Sequence, residues 1–406
     1  MAAVGIEDVV LEEEDNLHPY AEPLGSSAPA HKRLAHFIKR DHPYVLLGTD
    51  AVCVLGLWFG SFGLFEGAAV PAGVLAALMA WLGIWMCFSV FALLGKVMHW
   101  RDWRSWSPLV TPAGRKVLRW GSYITWAFVV VLFFLGPVAA LANQWQLVAA
   151  MSTNPSDFLQ SSLYMLQQSG QVFGTGILTT IELAVFGTCI AFVLALGLVF
   201  LRIQTPDLTD NDAVKFFKAL GSGFARVYST VIRGTPMMVQ GMLIYSLGFA
   251  AFRATGMTVT EVTGVWTVFI AGLVTISLNS TAYMMEVLRG GIESVDGGQM
   301  EAARSLGLSQ WQAMRKVVFP QGIKNSIPAL SNELIVNIKD SSVLSVIGVF
   351  DLMFATTTVA GLYYKQMEVY VIAAVCYLAL TMIFSRVLTA LSRKLDVDAP
   401  GPVMSE

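Results

Sequence analysis

Six side chains in the second half of the chain carry polar or ionisable groups where the flanking sequence is apolar: Asn279, Tyr283, Glu286, Lys339, Asp340 and Ser342. Together they could hydrogen-bond a small polar molecule and meet both charges of a zwitterion. Asn279, Tyr283 and Glu286 are spaced i, i+4, i+7 and share one face of a helix. That face could line a water-filled path, or it could join helices as polar glue. Glu286 could equally pair with Arg289 at i+3. Lys339 and Asp340 are adjacent and diverge on a helix, so each is free to meet a different group. Ionisable groups inside apolar runs are costly and are usually functional or paired.

Catalytic chemistry has no such support. The chain has no Ser-His-Asp grouping, no paired His ligands and no G-x-x-x-x-G-K-[ST] loop to cradle nucleotide phosphates. Gly297-Gly298-Gln299 has no such loop to accompany it. No catalytic residue, cofactor or metal site is expected. Cys53, Cys87, Cys189 and Cys376 all sit inside apolar runs and read as small packing residues. His31, His36 and His42 lack the spacing of a helical-face metal pair.

The elements that must position the six residues are membrane helices. Hydrophobic residues make up 55% of the 406 and charged residues only 13%, against about 25% charged in soluble domains. The mean hydropathy is +0.62. Apolar runs at 44–65, 71–95, 117–142, 172–201, 234–252, 265–288, 325–348 and 368–391 each approach the ~20 residues that cross a bilayer as a helix. Lipid offers no backbone partners, so the runs must be helical. The expected fold is an all-α integral membrane protein of about eight spans.

The basic residues alternate sides of these runs. Lys32, Arg33, Lys39 and Arg40 precede the first, and Arg386, Arg393 and Lys394 close the last; only Arg253, Lys339 and Lys365 of the 26 break the pattern. The positive-inside rule puts both termini in the cytoplasm. Residues 143–171 contain no Lys or Arg and are expected to form an external loop. The expected organisation is a disordered tail (1–43), a three-span extension (44–142), that loop, a five-span core (172–394) and a short tail (395–406). Spans one to three are expected to hold no ionisable residue deep in the membrane, with Glu66 at a span end. Between spans four and five, Phe216, Phe217, Leu220 and Phe224 interleave with Lys215, Lys218 and Arg226, the pattern of an amphipathic helix on the inner surface.

One polar stretch within the core is distinctive. Residues 301–307 read Glu301-Ala302-Ala303-Arg304-Ser305-Leu306-Gly307, followed after nine residues by Val317-Val318-Phe319-Pro320. This spacing, EAA-x3-G-x9-[IV]-x-[LF]-P, resembles the cytoplasmic EAA loop of ABC importer permeases. The blocks SLNSTAYMMEVLRGGIESVDGGQMEAA (277–303) and PQGIKNSIPALSNELIVNIKDSSVLS (320–345), with Arg233-Gly234-Thr235-Pro236, resemble the histidine, arginine and glutamine branch of that family. The resemblance covers about 170–394. It implies a coupling helix near 296–312, with Glu301, Ala302, Ala303, Gly307 and Pro320 serving the contact with an ATPase. It also implies two ATPase subunits that bind ATP and magnesium, an extracytoplasmic amino-acid-binding protein, a second permease copy or homologue, and a prokaryotic inner-membrane location. Membrane lipid is the remaining expected partner, and nucleic acid is not one. An ion-coupled carrier without an ATPase is the alternative, kept open by Glu286 and Asp340; it gives no reason for the EAA spacing.

Overall fold

A computed structural model describes residues 43–65, 72–99, 108–204, 206 and 210–394. The three histidines, Glu66, six basic residues (Lys32, Arg33, Lys39, Arg40, Arg101, Arg104), the 395–406 tail and nearly all of the 1–43 tail lie outside them. The described residues are helical with no strand, and the chain divides into two compact units, Met1–Met151 and Ser152–Glu406.

In the first unit, α1 (Pro43–Phe65) and α2 (Ala72–Met98) pack with a long rod. The rod runs from α3 (Pro112–Phe133) through a π turn (Phe134–Val138) into α4 (Ala139–Ala149). Thr111 caps α3, its Oγ1 accepting from Gly114 N at 3.1 Å. Pro137 lies inside the π turn; it has no N–H to donate, which allows the turn to widen there. Leu75, Leu82, Trp85, Leu118, Val129 and Leu132 form the apolar seam.

One expectation changes here. Asp50 lies two turns inside α1, so the extension does contain an embedded carboxylate. Ser89 Oγ of α2 donates to it, and nearby Thr49 and Ser122 hydroxyls bond at 2.7 Å. A hydroxyl from another helix meets the charge, which no pattern local to α1 reveals. Residues 143–171, expected as an external loop, are partly helical. They contain the end of α4 and, in the second unit, all of α5 (Phe158–Gln168). Asp157 caps α5 by accepting from Leu159 N and Gln160 N, both at 3.1 Å. Met165 then buries against the core cluster, which holds the helix down.

The second unit continues with α6 (Gly170–Arg202), α7 (Asp212–Arg233), α8 (Met237–Ala254), α9 (Val259–Val265) and α10 (Val268–Glu293). Next come α11 (Gly297–Ser305) and α12 (Gln310–Ala313), then a π turn (Met314–Val318) into α13 (Phe319–Asp340). A 3-10 segment (Ser341–Ile347), α14 (Leu352–Tyr363) and α15 (Gln366–Lys394) complete it. Among the described residues, six helices are long and apolar enough to cross a membrane alone. The α13–α14 pair, bent by 53°, counts as a seventh, and α1, with 23 largely apolar residues, as an eighth.

The run 325–348 therefore ends at a bend, between Ile347 and Leu352. Gly348 closes the 3-10 segment at φ +90°, a conformation that suits glycine, and buried Asp351 restarts the helix by accepting from Phe354 N at 2.9 Å. The centre of the unit is α10. Its apolar stretch is 61% buried, against 33% or less for the other five helices long enough to cross alone. Ala271, Gly272, Thr275, Ser277, Ser280 and Ala282 keep its surface small, so α6 and α13 approach closely.

Candidate functional site

The six sequence candidates fall into two groups at different depths of the second unit. Near the middle of α10, Asn279 is nearly buried and its Nδ2 donates to Gln240 Oε1 at 3.0 Å. Gln240 Nε2 in turn donates to Ile232 O at 2.7 Å and Thr235 Oγ1 at 2.8 Å. Asn279 thus braces the α7–α8 corner that holds Arg233-Gly234-Thr235-Pro236. One position on, Ser280 Oγ donates to Asn337 Oδ1 at 2.7 Å, and Asn337 Nδ2 donates to Thr188 Oγ1 at 2.8 Å. This chain ties α6, α10 and α13 at mid-span. Each member is satisfied, which is what buried polar groups need in a low dielectric.

Lys339 and Asp340 follow directly on this tie. Lys339 is exposed on the single chain and has no ion-pair partner within 4 Å among the described residues; Asp340 is half-buried. Glu333 lies seven residues before Asp340 on the same face of α13 and is also half-buried. It was not a sequence candidate, although the i, i+7 relation to Asp340 was there to read. Ser342 is half-buried in the 3-10 segment, where its carbonyl accepts from Ser345 Oγ at 2.7 Å.

Tyr283 and Glu286 lie one to two turns further along α10, away from this group. Glu286 accepts from Arg289 Nε at 2.7 Å and Ser229 Oγ at 3.2 Å, and Arg202 Nε stands 3.6 Å from it. Arg289 Nη1 also reaches Glu293 at 2.5 Å. Of the two readings for Glu286, the ion pair with Arg289 is the one formed, and α6 and α7 join it. The guanidinium of Arg233 lies over the Tyr283 ring, 5.3 Å from its centroid. Arg202, Ser229, Arg233, Tyr283 and Glu286 line a cavity of about 500 Å³ with Arg226 and Thr230. On the same helix as Arg226, Tyr228 donates to Leu278 O at 2.6 Å, and burial pushes its phenol up to about 12. It is a neutral donor that pins α7 to α10.

The polar loop after α10 is a second candidate site. Asp296 caps α11, accepting from Gly298 N at 2.9 Å. The helix ends in a paired return of carbonyls: Gly307 N donates to Arg304 O at 2.9 Å and Leu308 N to Ala303 O at 3.3 Å. Gly307 sits at φ +86° with nothing within 4 Å of a Cβ placed on it. Its requirement is backbone conformation, not close packing within the chain. Ser309 and Gln312 then form a reciprocal cap on α12. Ala303 is buried against the unit, while Glu301 and Ala302 face out with Leu306, 84% exposed, and Trp311, 50% exposed. Apolar side chains this exposed on a polar loop offer a docking surface. Pro320 stands in the first turn of α13, where no N–H is required, just after the π turn.

Both ends of this loop are fixed by one contact. A Cβ on Gly291 of α10 would lie 2.6 Å from Gly322 O, and a Cβ on Gly322 of α13 would lie 2.7 Å from Ile292 Cα. Ser326 Oγ crosses the contact to Val287 O at 3.3 Å. The helices that lead to the loop therefore meet backbone to backbone at its base.

With this geometry in view, three comparisons bear on the chain. The sequence profile of the family described as "Binding-protein-dependent transport system inner membrane component" matches residues 213–397. A putative glutamine transport system permease protein of Rickettsia bellii is 35% identical over 222 residues, covering 55% of this chain and 92% of that one. A nopaline transport system permease protein of Agrobacterium fabrum is 35% identical over 212 residues, 51% and 81% of the two chains. The glutamine transport system permease protein of Escherichia coli is 36% identical over 173 residues, 43% and 75%. Among solved structures, an amino acid ABC transporter with histidines is 34% identical, covering 59% of this chain and 99% of that one at a TM-score of 0.48.

Proposed function

Since the chain belongs to the family of binding-protein-dependent transport system inner membrane components, we propose that it forms the translocation path of an ATP-driven importer for a polar amino acid. The observation that carries this reading is the exposed α11–α12 loop, fixed at its base to the two helices that hold the mid-span polar tie. A push on that loop reaches α10 and α13 through the Gly291–Gly322 contact without slack. ATP and magnesium belong on two separate ATPase subunits that dock on Glu301, Ala302, Leu306 and Trp311. A binding protein delivers substrate to the opposite side of an inner membrane, and a second permease faces Lys339.

The substrate class follows from the names of the relatives and from charge. A zwitterion entering a low-dielectric space needs both of its charges met. Lys339 can meet the carboxylate, and Asp340 with Glu333 the ammonium. Asn279, Tyr283 and Glu286 act through structure: Asn279 braces the α7–α8 corner, and Glu286 holds three arginine- and serine-bearing helices together.

Purification of the tagged chain in mild detergent, followed by identification of co-purifying chains, tests the reading. An ATPase in the eluate supports it; transport by the chain alone, driven by an ion gradient, overturns it. Lys339→Met and Asp340→Asn are expected to weaken substrate affinity about tenfold or more, since hydrogen bonds to charged groups contribute ~1.5–3 kcal/mol. Basal ATP hydrolysis and assembly should persist. Uptake of several labelled amino acids alongside ATP hydrolysis in proteoliposomes is the measurement. Unchanged affinity and preference in both variants would remove these residues from the path.

The orientation has its own check. Ser156 and Ala213 are exposed in the connections before α5 and at the start of α7. A cysteine at Ser156 should react with an impermeant thiol reagent in intact cells, and one at Ala213 only after lysis. Asp210 is unsuitable as the inner probe because it is bound by Lys218 at 2.6 Å. The reverse labelling pattern would invert the topology.

A further inference from the structure

We propose that the cavity between α6, α7 and α10 binds the phosphate of an anionic phospholipid from the leaflet that the basic residues face. Arg202, Arg226 and Arg233 line the one cavity, and Glu286 is its only carboxylate. That carboxylate is already engaged by Arg289, Ser229 and Arg202. Arg226 and Arg233 have no carboxylate within 4 Å among the described residues, and Arg202 has only its ion pair with Glu286, at 3.6 Å. The site therefore carries uncompensated positive charge in a space of about 500 Å³. A guanidinium fork suits the paired oxygens of a phosphate.

Arg226, Thr230 and Arg233 lie along one side of α7. Phe216, Phe217, Leu220, Phe224, Val227 and Val231 occupy another side of the same helix and are all more than half exposed. A helix with this division lies at the membrane interface, with its apolar side in the acyl region. A phospholipid places a charged head and acyl chains at these same depths. Basic pockets between helices on the cytoplasmic side are suited to such headgroups. The packed third side of α7, with Ala225 and Ser229 buried and Tyr228 pinned to Leu278 O, holds the arginines in place. The inference depends on the orientation and not on the transport reading.

The test uses the full chain in mild detergent, titrated with phosphatidylglycerol or phosphatidylcholine of equal chain length. Native mass spectrometry counts the retained lipid. Phosphatidylglycerol should be retained at a concentration about tenfold to thirtyfold lower, from ~1 kcal/mol per basic residue. The double variant Arg226→Gln, Arg233→Gln should erase that preference. Arg226→Lys with Arg233→Lys, which keeps the charge and loses the fork, should fall between and decides the matter if the glutamine pair does not fold. Lys116→Gln, an exposed change on the first unit, should leave the preference intact. Equal retention of the two lipids, or an unchanged preference in both double variants, overturns the proposal. Excess inorganic phosphate that empties the site reassigns it to a free anion and overturns the lipid source. Excess glutamine that empties it reassigns the cavity to the transported substrate and overturns it as well.

Discussion

A Gly307→Val chain reaches the membrane at normal levels and loses uptake by at least about tenfold, with weakened ATPase binding. The local geometry gives the reason. Gly307 holds φ +86°, and the hydrogen bonds that end α11 depend on that turn. A left-handed residue with a Cβ costs roughly 1–2 kcal/mol, and a β-branched one is a genuine outlier there. The loop would escape by unwinding its last turn, which moves Leu306 away from Glu301 and disassembles the exposed surface. Nothing lies within 4 Å of the added Cβ, so the membrane helices are not disturbed. Gly307→Asn is the control, because asparagine tolerates this conformation, and it should keep most uptake. Co-purification of the ATPase and uptake in vesicles separate the cases. If valine and asparagine behave alike, the turn is not what the motor reads.

Gly291→Val should be the more damaging change, acting on folding. Its side chain would be driven against Gly322 O and Ser326 at the α10–α13 crossing. Overpacking commonly costs ~1–3 kcal/mol when side chains can yield. Here one obstacle is backbone, which cannot rotate aside, so the cost should reach the top of that range or exceed it. The Ser326 bond to Val287 O would be lost as well. Membrane yield and the thermal midpoint in detergent should both fall. Gly290→Val, one residue away with open space around it, should leave the crossing intact and lose only helix propensity. Equal midpoints for the two variants would show that the helices do not depend on this contact.

What could be read from the sequence was local. The apolar runs follow from composition, and the α11 turn follows from Glu301 through Gly307 because its signals lie within one helix and its cap. The break in the seventh span was harder. Gly348 and Asp351 mark it at the end of the run 325–348, where hydropathy alone shows no bend. The partners of the polar residues were not legible at all. Asn337 meets Thr188 across 149 residues, and Glu286 gathers Arg202 and Ser229 from two other helices. Periodicity assigns a side chain to a face; it does not say which helix will stand opposite. Asp50 itself is legible, since it stands inside the run 44–65; its hydroxyl partner Ser89 on α2 is not.

The meeting of Gly291 with Gly322 also has a meaning for descent. It closes the segment from Ile292 to Gln321 into a ring whose two ends are held at one point. Such a segment is a cassette. An ancestor could exchange its interior, and with it the choice of motor, while the membrane helices above kept their substrate. A chimera that takes only this ring from a relative should then follow the relative's ATPase and keep its own cargo, so that motor pairing and cargo choice evolve as separable traits.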